Sequence, residues 1–166
     1  MKRQLLALHF QTGWRLTQTP YKALWLDRHA FQPWECKVVY FITLCIVPRC
    51  NVLANDAAWS AVCETLSRLD KWNTYCIMAM PDHIHLLTAP RERELSVAAF
   101  LKWFKRWLDE LDDAHEKWQW QPGGFDRLLR TSESIHEKWN YIRENPVRAG
   151  LVERWQDWPY RIGFEL

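Results

Sequence analysis

Two histidines separated by a single residue are the first candidates for chemistry in this sequence. His83 and His85 lie in the segment HIHLLT, which predicts a β-strand, so both side chains would leave the same face of a sheet. Neutral imidazole is the commonest protein metal ligand, and two rings side by side can bind one divalent ion. The same pair is compatible with two half-buried polar residues of a strand, so both interpretations stay open.

A tyrosine and an asparagine four residues apart form the second candidate pair. Tyr141 and Asn145 lie in a segment that predicts a helix, so we expect them to be neighbours on its surface, to one side of the apolar stripe. Ser134 and Glu137 have capping-box spacing, and Pro146 is expected to end the helix. The apolar stripe of this predicted helix consists of Ile135, Trp139 and Ile142. A lone tyrosine in this position is also typical of an ordinary amphipathic helix.

The elements that must position these residues follow the order strand, helix, strand, strand, helix, strand, helix. The predicted strands are residues 38–47, 74–80, 83–88 and 125–130. The predicted helices begin at Asn55 or Asp56, span 95–111, and follow the possible caps Thr131, Ser132 and Ser134. The first six elements predict an α+β fold, a ferredoxin-like split βαββαβ antiparallel sheet with two helices on one face. The additional C-terminal helix, which carries Tyr141, should pack on the open face or an edge of the sheet.

Length and composition predict one soluble globular domain. The 166 residues suit a lead-in without regular structure at 1–35 and a main domain at 36–166. The five cysteines include no CxxC pair, and no signal peptide opens the chain, so we expect a reducing, cytoplasmic setting. The longest apolar run, 38–47, is far shorter than the roughly 20 residues of a membrane helix, so no membrane partner is expected.

The net charge of +2 does not by itself identify a nucleic-acid-binding protein. Local groups of basic residues are compatible with phosphate contacts and equally with solvated helix faces. The 12 tryptophans, among them Trp103 and Trp107, could serve packing, base stacking or both. The candidate DNA-binding residues are Lys102, Lys105, Arg106, Arg127, Arg130, Arg143 and Arg148.

Several motifs together resemble one family. MPDHIHLL (80–87) resembles the HUH motif, two histidines around a hydrophobic residue, and YIRENPVRAGLV (141–152) resembles the nucleophile segment of REP-associated tyrosine transposases. WQPGGFDRLLR (120–130) and WQDWPY (155–160) also fit the pattern of that family. The motifs occur in the family's order and cover the chain from about residue 38 to 160. The sequence is therefore similar to single-tyrosine HUH transposases of prokaryotes.

The resemblance implies a metal-dependent single-stranded DNA endonuclease and strand transferase that cleaves and rejoins DNA at hairpin-flanked sites. Tyr141 would be the nucleophile that forms a 5′-phosphotyrosine, in an enzyme associated with the nucleoid. His83, His85 and Asn145 would hold Mg²⁺ or Mn²⁺, which activates the scissile phosphate. The expected partner is single-stranded or hairpin DNA, and the enzyme would be a monomer or a homodimer, with Tyr141 beside the histidines of its own chain or of its partner.

Two other classes of protein remain open at this point. Ferredoxin-like sheets also serve as non-catalytic domains that bind single-stranded nucleic acid. A metal-dependent hydrolase would use the histidine pair and a water molecule, and would need further carboxylate ligands, for which Asp82 and Glu144 are available. The fold alone does not decide among the three, because one scaffold can host all of them.

Overall fold

A computed structural model describes residues 38–111, 118–130 and 132–164, without the side chains of residues 132 and 133. The predicted lead-in at 1–35 and the possible cap Thr131 lie outside the described residues, so the domain boundary near residue 35 stays a prediction. In the described part of the chain, no helix is both long and apolar enough to cross a membrane.

The elements follow the predicted order, with two short strands and two short helical segments in addition. The strands are β1 Val39–Val47, β2 Trp72–Met80, β3 His83–Pro90, β4 Gln119–Trp120, β5 Phe125–Leu129 and β6 Arg161–Ile162. The helices are α1 Asp56–Arg68, α2 Val97–Leu111, α3 Ser132–Arg143 and α4 Asn145–Arg148, followed by a 3₁₀ turn at Trp155–Asp157. The two-residue strands β4 and β6 were not predicted, since they are too short to show an alternating pattern.

The strands form one antiparallel sheet in which β1 and β3 are central. Along β1, β3 pairs on one side and β5 and β4 pair on the other, while β2 and β6 follow beyond β3. The four predicted strands thus stand in the order β5-β1-β3-β2, which is the ferredoxin-like arrangement. The predicted α+β fold class is confirmed.

The two faces of the sheet bury different helices. On one face, α3 packs against β2 and β3. There, Ile135, Trp139 and Ile142 of α3 join Met78 and Leu87 of the sheet in one buried cluster. The helix that the ferredoxin-like pattern left over therefore covers the open face, as predicted.

The opposite face carries α1 and α2, which pack against each other. The Trp72 ring lies 4.8 Å from the Phe100 ring of α2 and 6.4 Å from the Tyr40 ring of β1. Tyr40 therefore faces α2, whereas its neighbour Phe41 faces the other side of the sheet. Asn55 begins α1 as its N-cap, with its side chain accepting from Ala58 N at 3.0 Å, as one of the two predicted caps.

At its N-terminal end, the helix that carries Tyr141 differs from the prediction. Because α3 begins at Ser132, Ser134 lies inside the helix and cannot be its cap. The helix ends at Arg143, before Pro146 as predicted, and Pro146 itself lies in the first turn of α4. A proline ring clashes with the carbonyl four residues earlier, so α3 stops before it, whereas the first turn of a new helix accepts proline without losing a hydrogen bond.

The C-terminal segment holds α3 against the sheet. Trp158 Nε1 donates to the Ala79 carbonyl at 2.9 Å, and Trp139 Nε1 of α3 donates to the Gly163 carbonyl at 3.0 Å. Gly163 has φ +82°, and a Cβ on it would lie 1.9 Å from the Tyr75 carbonyl oxygen. Only glycine fits this close approach of the segment to the β2 backbone beside it.

Candidate active site

The two histidines meet on the face of the sheet that α3 covers. His83 and His85 project from β3 with their Nε2 atoms 3.1 Å apart and their rings nearly perpendicular. This agrees with the expectation that both side chains leave one face. Both Nε2 atoms therefore point into the same small space.

On the outer side of the pair, a carboxylate fixes the orientation of His83. Asp82 Oδ1 lies 2.6 Å from His83 Nδ1, and Arg49 Nη1 donates to Asp82 Oδ2 at 2.9 Å. Burial acts to raise the pKa of Asp82, but the hydrogen bonds and charges of His83 and Arg49 hold it below its usual value. Because a carboxylate can only accept, Nδ1 of His83 carries the proton and its Nε2 presents a lone pair in the neutral ring.

On the inner side, His85 is buried with only 4% of its surface exposed, and its Nδ1 lies 2.8 Å from Thr43 Oγ1. Burial first, and then the charges of His83 and Arg148, lower the pKa of His85 to about 3, so its ring is neutral at physiological pH. When the Thr43 hydroxyl accepts from Nδ1–H, the Nε2 of His85 also presents a lone pair. In these tautomers the two lone pairs face each other at 3.1 Å and repel, and a divalent cation held by both nitrogens would remove the repulsion.

The donor set fits a divalent cation that also uses an amide ligand. Within the described ranges, no three His, Cys, Asp or Glu side chains converge on one point, so two imidazoles must be completed by ligands of another kind. The Asn145 side chain is buried, and among the described residues its amide nitrogen has no hydrogen-bond partner. Since the nitrogen and oxygen of such an amide are interchangeable in placement, Asn145 has unused polar capacity.

The tyrosine lies beside this pair within the same chain. The Tyr141 ring is 5.6 Å from the His85 ring and 5.9 Å from the Phe41 ring, both edge to face, and 37% of the residue is exposed. Two cations flank it: Arg148 Cζ lies 4.2 Å and Lys138 Nζ 5.4 Å from the ring centroid. The phenol thus stands at the solvent-facing edge of the histidine pair in a positively charged setting.

Tyr141 and Asn145 do not share one helix. Tyr141 belongs to α3 and Asn145 to α4, with Glu144 between them, so the predicted placement of both on a single helix surface is wrong. The cause is Pro146, whose ring would clash with the Ile142 carbonyl of a continuous helix, so α3 ends before it. Asn145 is buried to 9% exposure, in contrast to the exposed Tyr141.

The three basic candidates of α2 lie on the helix that covers the opposite face of the sheet. Lys105 Nζ donates to the carbonyls of Gln121 and Gly123 and thereby binds the loop before β5. Burial lowers the pKa of Lys105. Arg106 pairs with Glu110 at 2.9 Å. Lys102 is exposed, with its Nζ 5.7 Å from the Trp103 ring. These residues do not converge on the histidine pair.

The four later basic candidates lie nearer to the site or around α3. Arg127 of β5 is exposed and faces the same side as Phe41, its partner in β1. Arg130 is exposed just after β5. Arg143 is half-buried between Trp rings and pairs with Glu144 at 3.1 Å, whereas Arg148 stands over Tyr141.

Sequence reasoning did not identify several residues of the site. Lys138 precedes Tyr141 by three positions on α3, and this helical spacing would have indicated it. Thr43 and Phe41 reach the site only through the register of β1 against β3, in which Thr43 opposes His85. Asp82 was considered as a metal ligand of a hydrolase, but it bonds to Nδ1 of His83, on the side of the ring away from the Nε2 pair.

Comparisons with known proteins agree with this architecture. No protein-family model matches the sequence. A protein of Haemophilus influenzae named as a REP-associated tyrosine transposase is 30% identical over 140 residues, covering 74% of this chain and 77% of that protein. The chain belongs to the REP-associated tyrosine transposase family, as the resemblance of its motifs predicted.

A solved structure extends the likeness to the fold. The structure of a REP-associated tyrosine transposase bound to a REP hairpin matches with a TM-score of 0.66 at 19% sequence identity. The match covers 75% of this chain and 76% of that one. The α+β architecture described above is therefore that of a solved member of the family.

Proposed function

We propose that this protein cuts and rejoins DNA at hairpin-flanked sites by transesterification, with Tyr141 as the nucleophile. The single observation that carries the proposal is the placement of the Tyr141 ring 5.6 Å from His85, whose Nε2 meets that of His83. Family membership supports the reaction class, and the solved relative bound to a REP hairpin supports hairpin DNA with a single-stranded flank as the partner.

The chemistry requires an attacking oxygen and a held phosphate. The Tyr141 hydroxyl oxygen would form a bond to phosphorus, the bond from phosphorus to the 3′ oxygen would break, and the phenolic proton would pass to solvent while the 3′ oxygen takes up a proton. The resulting 5′-phosphotyrosine retains the energy of the phosphodiester, so the strand can be rejoined without ATP. Lys138 and Arg148, which flank the ring, would attract the phosphate to the phenol.

We further propose that His83, His85 and Asn145 hold Mg²⁺ or Mn²⁺. When bound, the cation would polarise the scissile phosphate. The neutral, buried state of His85, the carboxylate that orients His83 and the unused amide of Asn145 support this ligand set. Mixed imidazole and amide ligation with open positions suits these ions better than a closed zinc site.

The single-chain geometry favours cleavage by the histidines and tyrosine of one molecule. Tyr141 reaches the His85 of its own chain without any contribution from a second copy. We therefore propose that the nucleophile acts in cis, whether the protein is a monomer or a homodimer.

The test is formation of a covalent adduct. The protein would be incubated with Mn²⁺ or Mg²⁺ and labelled single-stranded oligonucleotides that carry hairpins from DNA flanking the gene, and then resolved on a denaturing gel. An adduct is expected for the unmodified protein and for Tyr40→Phe, a matched tyrosine on the opposite face of β1, but not for Tyr141→Phe or with EDTA.

The other outcomes are equally informative. An adduct that survives Tyr141→Phe would refute the assignment of the nucleophile, and one that survives EDTA would refute the metal requirement. Tight hairpin binding without any adduct, over a broad set of oligonucleotides, would favour a non-catalytic DNA-binding domain instead.

A further inference from the structure

Phe125 has an exposure that packing does not explain. At 59%, it is the most exposed large apolar side chain in the described part of the chain. Isolated apolar side chains are common on protein surfaces, so exposure alone indicates nothing. What distinguishes Phe125 is its position on the same face of the sheet as the histidine pair.

The register of the sheet places Phe125 in line with the site. Phe125 of β5 opposes Thr43 of β1, and Thr43 in turn opposes His85 of β3. Directly opposed residues of antiparallel strands project from the same face, so all three side chains face α3 and Tyr141. With strands about 4.8 Å apart, Phe125 lies about 10 Å from His85 across the sheet.

One buried ring connects the two exposed ones. The Phe41 ring lies 6.0 Å from Phe125, 5.9 Å from Tyr141 and 5.6 Å from His85. Phe125 and Tyr141 therefore both lie next to the same buried ring. A nucleotide stacked on Phe125 would be a near neighbour of the phosphate at Tyr141.

The charges around Phe125 complement a phosphodiester backbone. Arg127, two residues along the same strand, faces the same side, and Lys138 Nζ lies 5.6 Å from the Phe41 ring. The carboxylate of this strand, Asp126, alternates to the opposite face. An exposed aromatic ring with cations nearby is the combination that binds single-stranded nucleic acid, with the base on the ring and the phosphates on the cations.

We propose that Phe125 is a stacking platform for a base of the single-stranded DNA next to the scissile phosphate. The proposal rests on the proposed function, since it places this base beside the phosphate that Tyr141 attacks. The alternative occupant is a second copy of the chain. The shared positive charge of Arg127, Lys138 and Arg148 opposes a contact between two identical surfaces, whereas it favours DNA.

The test measures binding without chemistry. In the full-length Tyr141→Phe protein, which leaves the DNA uncut, Phe125→Ala is expected to weaken binding of a hairpin oligonucleotide with a single-stranded flank by about five- to 100-fold. Phe125→Trp should retain affinity within about threefold, because it keeps a stacking surface. Leu128→Ala is the matched control, since Leu128 is exposed on the same strand but faces the other side, opposite Tyr40.

Two further readouts identify the contact directly. Ultraviolet light should crosslink 5-iodouracil in the flank to residue 125, as located by mass spectrometry, and all variants should bind a hairpin without the flank equally well. An affinity change below about threefold for Phe125→Ala, or an equal loss for Leu128→Ala, would overturn the proposal. A dimer that Phe125→Ala converts to a monomer in light scattering would also overturn it, because Phe125 would then serve a contact between copies.

The outcome is separable from that of the proposed function. If Phe125→Ala binds the flanked hairpin normally while the protein with Tyr141 intact forms the covalent adduct, stacking is wrong and transesterification stands. If the flank-specific loss and the crosslink are found but no adduct forms, the stacking platform stands and the nucleophilic role of Tyr141 is wrong.

Discussion

Replacement of Gly163 by alanine should destabilise the protein by more than about 3 kcal/mol. A Cβ at this position would lie 1.9 Å from the Tyr75 carbonyl oxygen and 2.8 Å from the Cys76 Cα, distances that real Cβ contacts do not reach. The residue also has φ +82°, which costs an L-residue roughly 1–2 kcal/mol by itself. The backbone must therefore move away from β2.

That movement would break identifiable interactions. The Trp139 Nε1 bond to the Gly163 carbonyl would be strained, together with the pairing of Arg161 and Ile162 with β2. At central values of about 1.5 kcal/mol for the backbone conformation and about 1 kcal/mol for each hydrogen bond lost, loss of the Trp139 bond and one ladder bond brings the total to about 3.5 kcal/mol. Because Trp139 lies on α3, we also expect less covalent adduct at temperatures where Gly163→Ala remains folded.

Gly150→Ala separates the steric effect from the conformational one. Gly150 has φ +68° but nothing within 4 Å of its Cβ position, so this variant should lose only roughly 1–2 kcal/mol. Urea unfolding followed by circular dichroism gives both free energies. If Gly163→Ala and Gly150→Ala destabilised the protein equally, within about 0.5 kcal/mol, the close contact of Gly163 with the β2 backbone would not be what holds α3.

Three further predictions concern the site. His83→Ala and His85→Ala should each abolish the metal-dependent adduct while circular dichroism shows a retained fold; an undiminished adduct would exclude the histidine pair from the reaction. Asp82→Asn, which removes the charge behind His83, should weaken Mn²⁺ binding about 10- to 100-fold in calorimetry, and unchanged affinity would contradict its orienting role. If Tyr141 acts in cis as proposed, a mixture of Tyr141→Phe and His83→Ala proteins should form no adduct; a restored adduct would show exchange between chains.

Much of the fold follows from local patterns. The ends of β1, β3 and α2 were predicted to within about two residues. Runs of β-branched residues favour a strand, and apolar residues at helical spacing favour a helix, whatever lies next to them in the fold. The N-terminal end of α3 was predicted less well, since Ser134 lies inside the helix. Pro146 was expected to end α3, and the helix does stop before it, but the second short helix that begins at Asn145 was not predicted.

The candidate site was likewise predicted only in part from the sequence. The common face of His83 and His85 follows from the two-residue period of a strand, and the motifs around Tyr141 were sufficient to indicate the family. The basic residues could not be sorted from sequence. In the structure, Lys105 donates to a loop on the opposite face of the sheet, whereas Arg148 lies over the Tyr141 ring. In the sequence alone, the two residues are simply positive charges.

The sequence by itself determined the order of the elements, the antiparallel ferredoxin-like class and the pairing of two imidazoles, because each depends on residues close together in the chain. Only the tertiary structure decided which side chains surround that pair. Strand register brings Thr43 next to His85 and places Phe125 on the same face of the sheet, and Gly163 fits against β2 where the Trp139 bond holds α3. Such register and pairing are set by packing between residues far apart in sequence, so no local pattern specifies them.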